Sequence, residues 1–102
     1  MTLPTTIEIG GRIIQILVDD HLVDWGEYDH DAGIIKLSRK AAEGPEAVPT
    51  LRHEMVHASM HMGGVAYNEG MEEEAVVRCM DSIFWPAWGK AMSIISKHET
   101  QD

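Results

Sequence analysis

One cysteine, Cys79, stands in the 102 residues, and nowhere does the chain run through the roughly 18 consecutive apolar positions that a membrane-spanning helix needs. A single thiol excludes an intrachain disulfide and a zinc knot built from cysteines, and it fits a reducing, cytoplasmic setting. Positive charge is scarce as well: 8 Lys and Arg face 17 Asp and Glu, for a formal charge of −9. Such a surface repels a phosphate backbone and an anionic lipid face, so neither nucleic acid nor membrane is expected as a partner. The opening residues MTLPTTIEIGGR lack a basic segment followed by a long apolar run, so no export signal is expected. No internal repeat, linker or low-complexity tract divides the sequence, and residues 1–102 read as a single domain with one modest core.

What is present falls into two textures. The run TIEIGGRIIQILV, Thr6 to Val18, is rich in β-branched residues and is interrupted by Gly10-Gly11, which predicts a hairpin turning at the two glycines. The next stretch, DDHLVDWGEYDHDA, is acidic and reads as turns. After Gly33, IIKLS alternates apolar and polar residues as a half-buried third strand, expected to pair antiparallel with the others. Beyond Ala41 the pattern becomes helical. Pro49 suits a first helical turn, TLRHEMVHASMHM follows, and Gly63-Gly64 ends it. A second helix opens in MEEEA, whose carboxylates favour a helix N-terminus, and is expected to break at Pro86. AWGKAMSIISKH forms a last amphipathic stretch. The fold class is therefore α+β, a small antiparallel sheet of about three strands packed on two helices.

Chemistry concentrates in RHEMVHASMHM, residues 52–62, where His53, His57 and His61 recur at intervals of four. Residues four apart stack on one helix face about 6 Å apart along the axis. His53 and His57 can thus share one ion at about 2.0 to 2.1 Å, whereas His61 starts about 12 Å from His53 and cannot join them. What remains is HExxH, with Glu54 beside the two ligands, placed to take a proton from a water that the ion activates. The competing reading is a solvated helix face that happens to be rich in histidine.

A catalytic zinc takes three protein ligands and leaves one position open. A histidine further along the same segment is excluded, because the required glycine and histidine positions are Met60 and Gly63. A carboxylate from the second helix is the alternative, and Glu69, Glu72, Glu73 and Glu74 are the candidates. Glu69 lies in the connection. Apolar residues at Val77, Cys79, Met80, Ile83 and Phe84 favour a helix headed by Glu74 without excluding Glu72 or Glu73. At least two of the three adjacent glutamates read as a solvated first turn.

HEMVH, a short glycine-bearing connection and EEEAVV together resemble the gluzincin arrangement of zinc metallopeptidases, HExxH plus a glutamate on the next helix. More narrowly, the chain is similar to the very small zincin-like proteins of phages and prophages, over most of its length. The resemblance implies a minimal zincin-like fold, a Zn2+ cofactor, a peptide or protein substrate, His53, His57 and Glu74 as ligands, and Glu54 as general base. Gluzincins often place an aspartate four residues after the third ligand to support a histidine, and here that position is Arg78. They also stabilise the oxyanion with a tyrosine or histidine, for which this sequence offers Tyr67, His61, Tyr28, His30 and His21. A second expectation from another class is a zinc-binding module on the same scaffold that recognises a protein without cleaving it. The intact Glu54 separates the two, since a structural zinc needs no general base.

Among other residues, Met55, Met60, Met62, Met71 and Met80 read as adaptable core filler, Cys79 as a small buried apolar residue, and Trp85 and Trp88 as a cap on the core. The Ile34 to Ser38 strand is expected to line the substrate cleft.

Overall fold

The computed structural model of the protein describes residues 3–65 and 72–100, with side chains as far as Ser96. It is an α+β fold. Strands β1 (Thr6–Ile9), β2 (Arg12–Asp19), β3 (Gly26–Asp29) and β4 (Ile34–Ser38) precede helices α1 (Arg39–Glu43), α2 (Ala47–Met62), α3 (Glu73–Cys79) and α4 (Trp85–Thr100). No helix among the described residues is long and apolar enough to cross a membrane.

The hairpin is present: Gly10 and Gly11 take φ of 58° and 84°, and Ile9 pairs with Arg12 across the turn. Two positive φ values in succession suit glycine, which carries no Cβ to clash. The sheet departs from expectation in number and in direction. It has four strands in the order β1-β2-β4-β3 and is mixed, because β4 runs parallel to β2 and antiparallel to β3. The additional strand is GEYD, inside the stretch that reads as turns. Glycine and acidic residues are poor strand formers, and this strand is held by pairing with β4 rather than by local preference. With β3 outside it, β4 is an inner strand, so among the described residues the outer strand on that side of the sheet is β3 and not Ile34–Ser38.

Alternation along β2 and β4 puts Ile14, Ile16, Ile35 and Leu37 on one face, where they form the core with Ile9 and Ala58 of α2. Ile14, Ile35, Leu37 and Ala58 are fully buried. Leu51, Met55 and Met62 of α2 pack against the same cluster, which fixes which side of the helix turns to the sheet. Pro49 sits in the first turn of α2, and Gly63 and Gly64 follow its end.

The second helical region holds the other departure. Pro86 does not break it. Met80–Phe84 forms a π-helical segment between α3 and α4, in which the Trp85 N–H donates to the Met80 carbonyl five residues back. A proline has no N–H for the carbonyl four residues before it, and the wider turn just ahead accommodates that loss without ending the helix. The Arg52 guanidinium lies 5.0 Å from the Trp85 ring centre and ties this region to α2. Trp88 is exposed rather than a cap on the core, and Cys79 is exposed rather than buried. Met71 lies outside the described residues.

Candidate metal centre

Helix α2 carries His53, Glu54 and His57 because its apolar residues face the sheet, leaving an adjacent side for the histidines. Helix α3 lies across that side and is anchored by Val77, which is fully buried. Its first turn brings Glu74 to both rings: Oε1 is 3.4 Å from His53 Nε2 and Oε2 is 3.1 Å from His57 Nε2. Two ligands held at about 2.0 to 2.1 Å on a tetrahedral ion stand about 3.4 Å apart, so these separations are the size such a site requires. His53, His57 and Glu74 form the group of side chains among the described residues that could hold a metal ion, with one potential ligand atom of each within 4.8 Å of the others.

The outward nitrogens decide the chemistry of the inward ones. His53 Nδ1 is 2.6 Å from Asp81 Oδ2, and His57 Nδ1 is 2.5 Å from Glu73 Oε1. A carboxylate only accepts, so each Nδ1 donates its proton, and in the neutral ring Nε2 then carries the lone pair. Two imidazole lone pairs and a carboxylate then converge on one point, an arrangement that a cation there relieves. Carboxylates behind ligand histidines are the usual means of fixing their tautomer and raising their basicity.

Sequence reasoning missed both supporting carboxylates. Asp81 comes seven residues after Glu74, two turns on along the same helix face, at the start of the π-helical segment. The sequence reading looked only four residues beyond Glu74, at Arg78, which instead lies 3.8 Å from Glu74 itself. Glu72 and Glu74 are exposed, whereas Glu73 is half-buried and engages His57, with its other oxygen 3.6 Å from His61 Nε2. Glu72 alone of the three precedes the helix as its exposed cap.

Glu54 is 7% exposed and shares walls with His53 in two adjoining hollows. Burial pushes its carboxyl above the ordinary carboxylate range, opposed by the nearby His53 and His57 and reinforced by the charges of Glu74 and Glu27. Gly26 of β3 permits this burial. A Cβ there would come 2.8 Å from Thr50 Cγ2 and 3.2 Å from Glu54 Cγ, so only glycine lets the strand edge lie against this face of α2.

His61 stands apart from the trio, as the helix geometry requires. Its ring stacks on His30 with centres 4.9 Å apart, and Tyr28 donates its hydroxyl proton to, or accepts one from, His30 Nδ1 at 2.7 Å. Tyr28 and His61 line the same hollow as the trio, whereas His30 lines the neighbouring one and His21 neither. Tyr67 and Glu69 lie outside the described residues.

No family model, curated protein or solved structure matches the chain.

Proposed function

We propose that the protein is a zinc-dependent peptidase of the gluzincin kind, with His53, His57 and Glu74 as the metal ligands and Glu54 as the general base. The observation that carries this reading is the pairing of two inward Nε2 lone pairs and a carboxylate with a buried, proton-hungry Glu54 on the same helix face. When bound, zinc supplies Lewis-acid polarisation of a carbonyl and lowers the pKa of an adjacent water.

The chain's own residues do the rest. Asp81 and Glu73 hold the two rings in the tautomer that presents Nε2. Glu54 takes the water's proton on a carboxylate oxygen as the hydroxyl adds to the peptide carbon, and returns it to the nitrogen as the C–N bond breaks. Its raised proton affinity suits both halves of that transfer. β3 is the outer strand of the sheet among the described residues, and an extended peptide laid along its Gly26 end would bring its carbonyl beside the trio.

Metal analysis of the purified protein, together with a peptide-library cleavage assay of wild type against Glu54→Gln, tests the proposal. One equivalent of zinc and cleavage lost in Glu54→Gln are expected. One equivalent of zinc without Glu54-dependent cleavage would replace the peptidase by the non-catalytic binding module.

A further inference from the structure

Beyond Trp85, helix α4 leaves the body of the molecule. From Pro86 to Ser96 every residue is exposed except the half-buried Met92. The shape records it: the radius of gyration is 15.2 Å, against about 13 Å for a compact chain of this length, and the longest dimension is 46 Å. A helix of 16 residues gains little from propensity alone in water and draws its stability from packing an apolar face. The described residues leave that face open. Ile83, Phe84, Trp88, Ile94 and Ile95 are all exposed, and together they present on the order of 600 Å² of surface per chain. The largest apolar patch of a monomer spans about 300 to 600 Å², whereas a standard interface covers about 1,200 to 2,000 Å² over both partners. Two such faces laid together reach the lower end of that range.

The face has the pattern of a helix that pairs with its own kind. At about 100° per residue, Phe84, Trp88, Ala91 and Ile95 fall within about 60° of one another around the axis. The rings of Phe84 and Trp88 stack at 14° with centres 6.2 Å apart, as neighbours on one face do. Steps of four, three and four residues are those of a two-stranded helical seam. From Phe84 to Ser96 the only charged residue is Lys90, on the far side of the helix. The seam is also self-complementary in size. Laid antiparallel on a second copy, about a two-fold axis at the level of Gly89 and Lys90, Trp88 of each chain comes beside Ala91 of the other, and Phe84 beside Ile95. A parallel pairing would set Trp88 against Trp88 and Ala91 against Ala91, a clash beside a void. Two-fold contacts in which one residue meets a second and the second meets the first are the commonest way for chains to assemble. A lipid surface fits this helix less well. Helices that lie on membranes are rich in Lys and Arg on the polar face, and α4 has two lysines in a chain of net charge −9.

We propose that α4 pairs antiparallel with α4 of a second copy of this chain, forming a two-fold dimer through a seam of Phe84, Trp88, Ala91 and Ile95. The pairing is independent of the metal and of the peptidase reading. An interface at the lower end of the standard size is expected to hold with a dissociation constant of about 1 to 10 μM. Trp88 is its anchor, since a buried tryptophan near the centre of an interface carries much of the binding energy.

The test is sedimentation equilibrium of the full chain at about 1 to 100 μM, where the mass should rise from one chain to two. Trp88→Glu puts a charge into the seam and should weaken the dimer by at least about tenfold, while Lys90→Glu on the far side should leave it within about threefold of wild type. Ala91→Trp alone sets two tryptophans side by side and should also weaken it by at least about tenfold. The exchange Trp88→Ala/Ala91→Trp restores one large and one small residue at each contact, so its dimer should return to within about threefold of wild type. That recovery reads the antiparallel register and cannot come from a misfolded chain. A wild-type protein that stays monomeric at about 100 μM overturns the proposal, as does a dimer indifferent to Trp88→Glu. A double variant no tighter than Ala91→Trp overturns the antiparallel seam. A monomer that floats with neutral phosphatidylcholine vesicles would make lipid the occupant of this face and overturn the dimer.

Discussion

His53 Nδ1 and Asp81 Oδ2 lie 2.6 Å apart across 28 positions of sequence, joining the middle of α2 to the π-helical turn between α3 and α4. The contact fixes a ring and couples two helices through it. Glu73 does the same for His57 from the head of α3.

Removing either support should loosen the metal without abolishing its site. Asp81→Ala and Glu73→Ala are expected to weaken zinc binding by about 10 to 100-fold each, as loss of a carboxylate behind a ligand histidine usually does. Glu74→Gln, His53→Ala and His57→Ala should cost more, since each removes a bond to the ion. His61→Ala should stay within about threefold of wild type, because its ring lies outside the trio. Competition against a chromogenic chelator measures all six, and an Asp81→Ala protein with unchanged affinity would deny that carboxylate any part in the site.

Acid should release the ion. Both ligand histidines must be neutral at Nε2, so protons compete with zinc as the pH falls, and occupancy should drop below about pH 5.5. The melting temperature falls with it, because a bound ion stabilises the native state by mass action. Full occupancy at about pH 4 would rule out a two-histidine ligand set.

In zinc-free protein Glu54 should oppose folding at neutral pH. Its folded-state proton affinity is raised by burial, so the favourable protonated form is present below the ordinary glutamate pKa of about 4.3 and is lost as the pH climbs through the raised value. Glu54→Gln has no charge to bury. The zinc-free variant should therefore melt above zinc-free wild type at pH 7, with the two converging near about pH 4. A constant difference across that range would show that the carboxyl ionises in the folded protein as it does in water.

Gly26→Ala should be costly for its size. The added methyl carbon meets Thr50 Cγ2 at 2.8 Å, with Glu54 Cγ and the Lys36 carbonyl oxygen each at 3.2 Å. Overpacking of this kind costs about 1 to 3 kcal/mol, and here it also pushes the strand edge away from Glu54. Thr50→Ser removes the nearest atom, so Gly26→Ala/Thr50→Ser should recover part of the loss in denaturant titrations. No recovery would place the strain elsewhere.

The features legible in the sequence were those set by short-range geometry. HExxH on α2 follows from a spacing of four, the turn at Gly10-Gly11 from two adjacent glycines, and the end of α2 from another pair. Glu74 was favoured by the apolar pattern after it, and it is the glutamate that the fold brings to both histidines. What stayed hidden depends on distant pairing. GEYD is a strand only because β4 lies beside it, and β4 itself is inner rather than outer for the same reason. Asp81 lies two turns beyond Glu74 on the same helix face, but nothing local shows that His53 stands opposite it. Glu73 looked like one charge among three because nothing local shows that His57 stands opposite it.

The π-helical segment makes residue number itself a structural quantity. Loops absorb a gained or lost residue at little cost. Between Met80 and Phe84 the helix already holds one more residue than the same turns of α-helix would. Deleting one would let the segment close as ordinary α-helix over the same turns and keep Trp85 near Arg52, whereas inserting one would swing everything beyond it by about 100° relative to α3 and turn the exposed Trp88 to a new side. A deletion here is taken up by the slack of the wide turn; an insertion acts like a gear slipping one tooth.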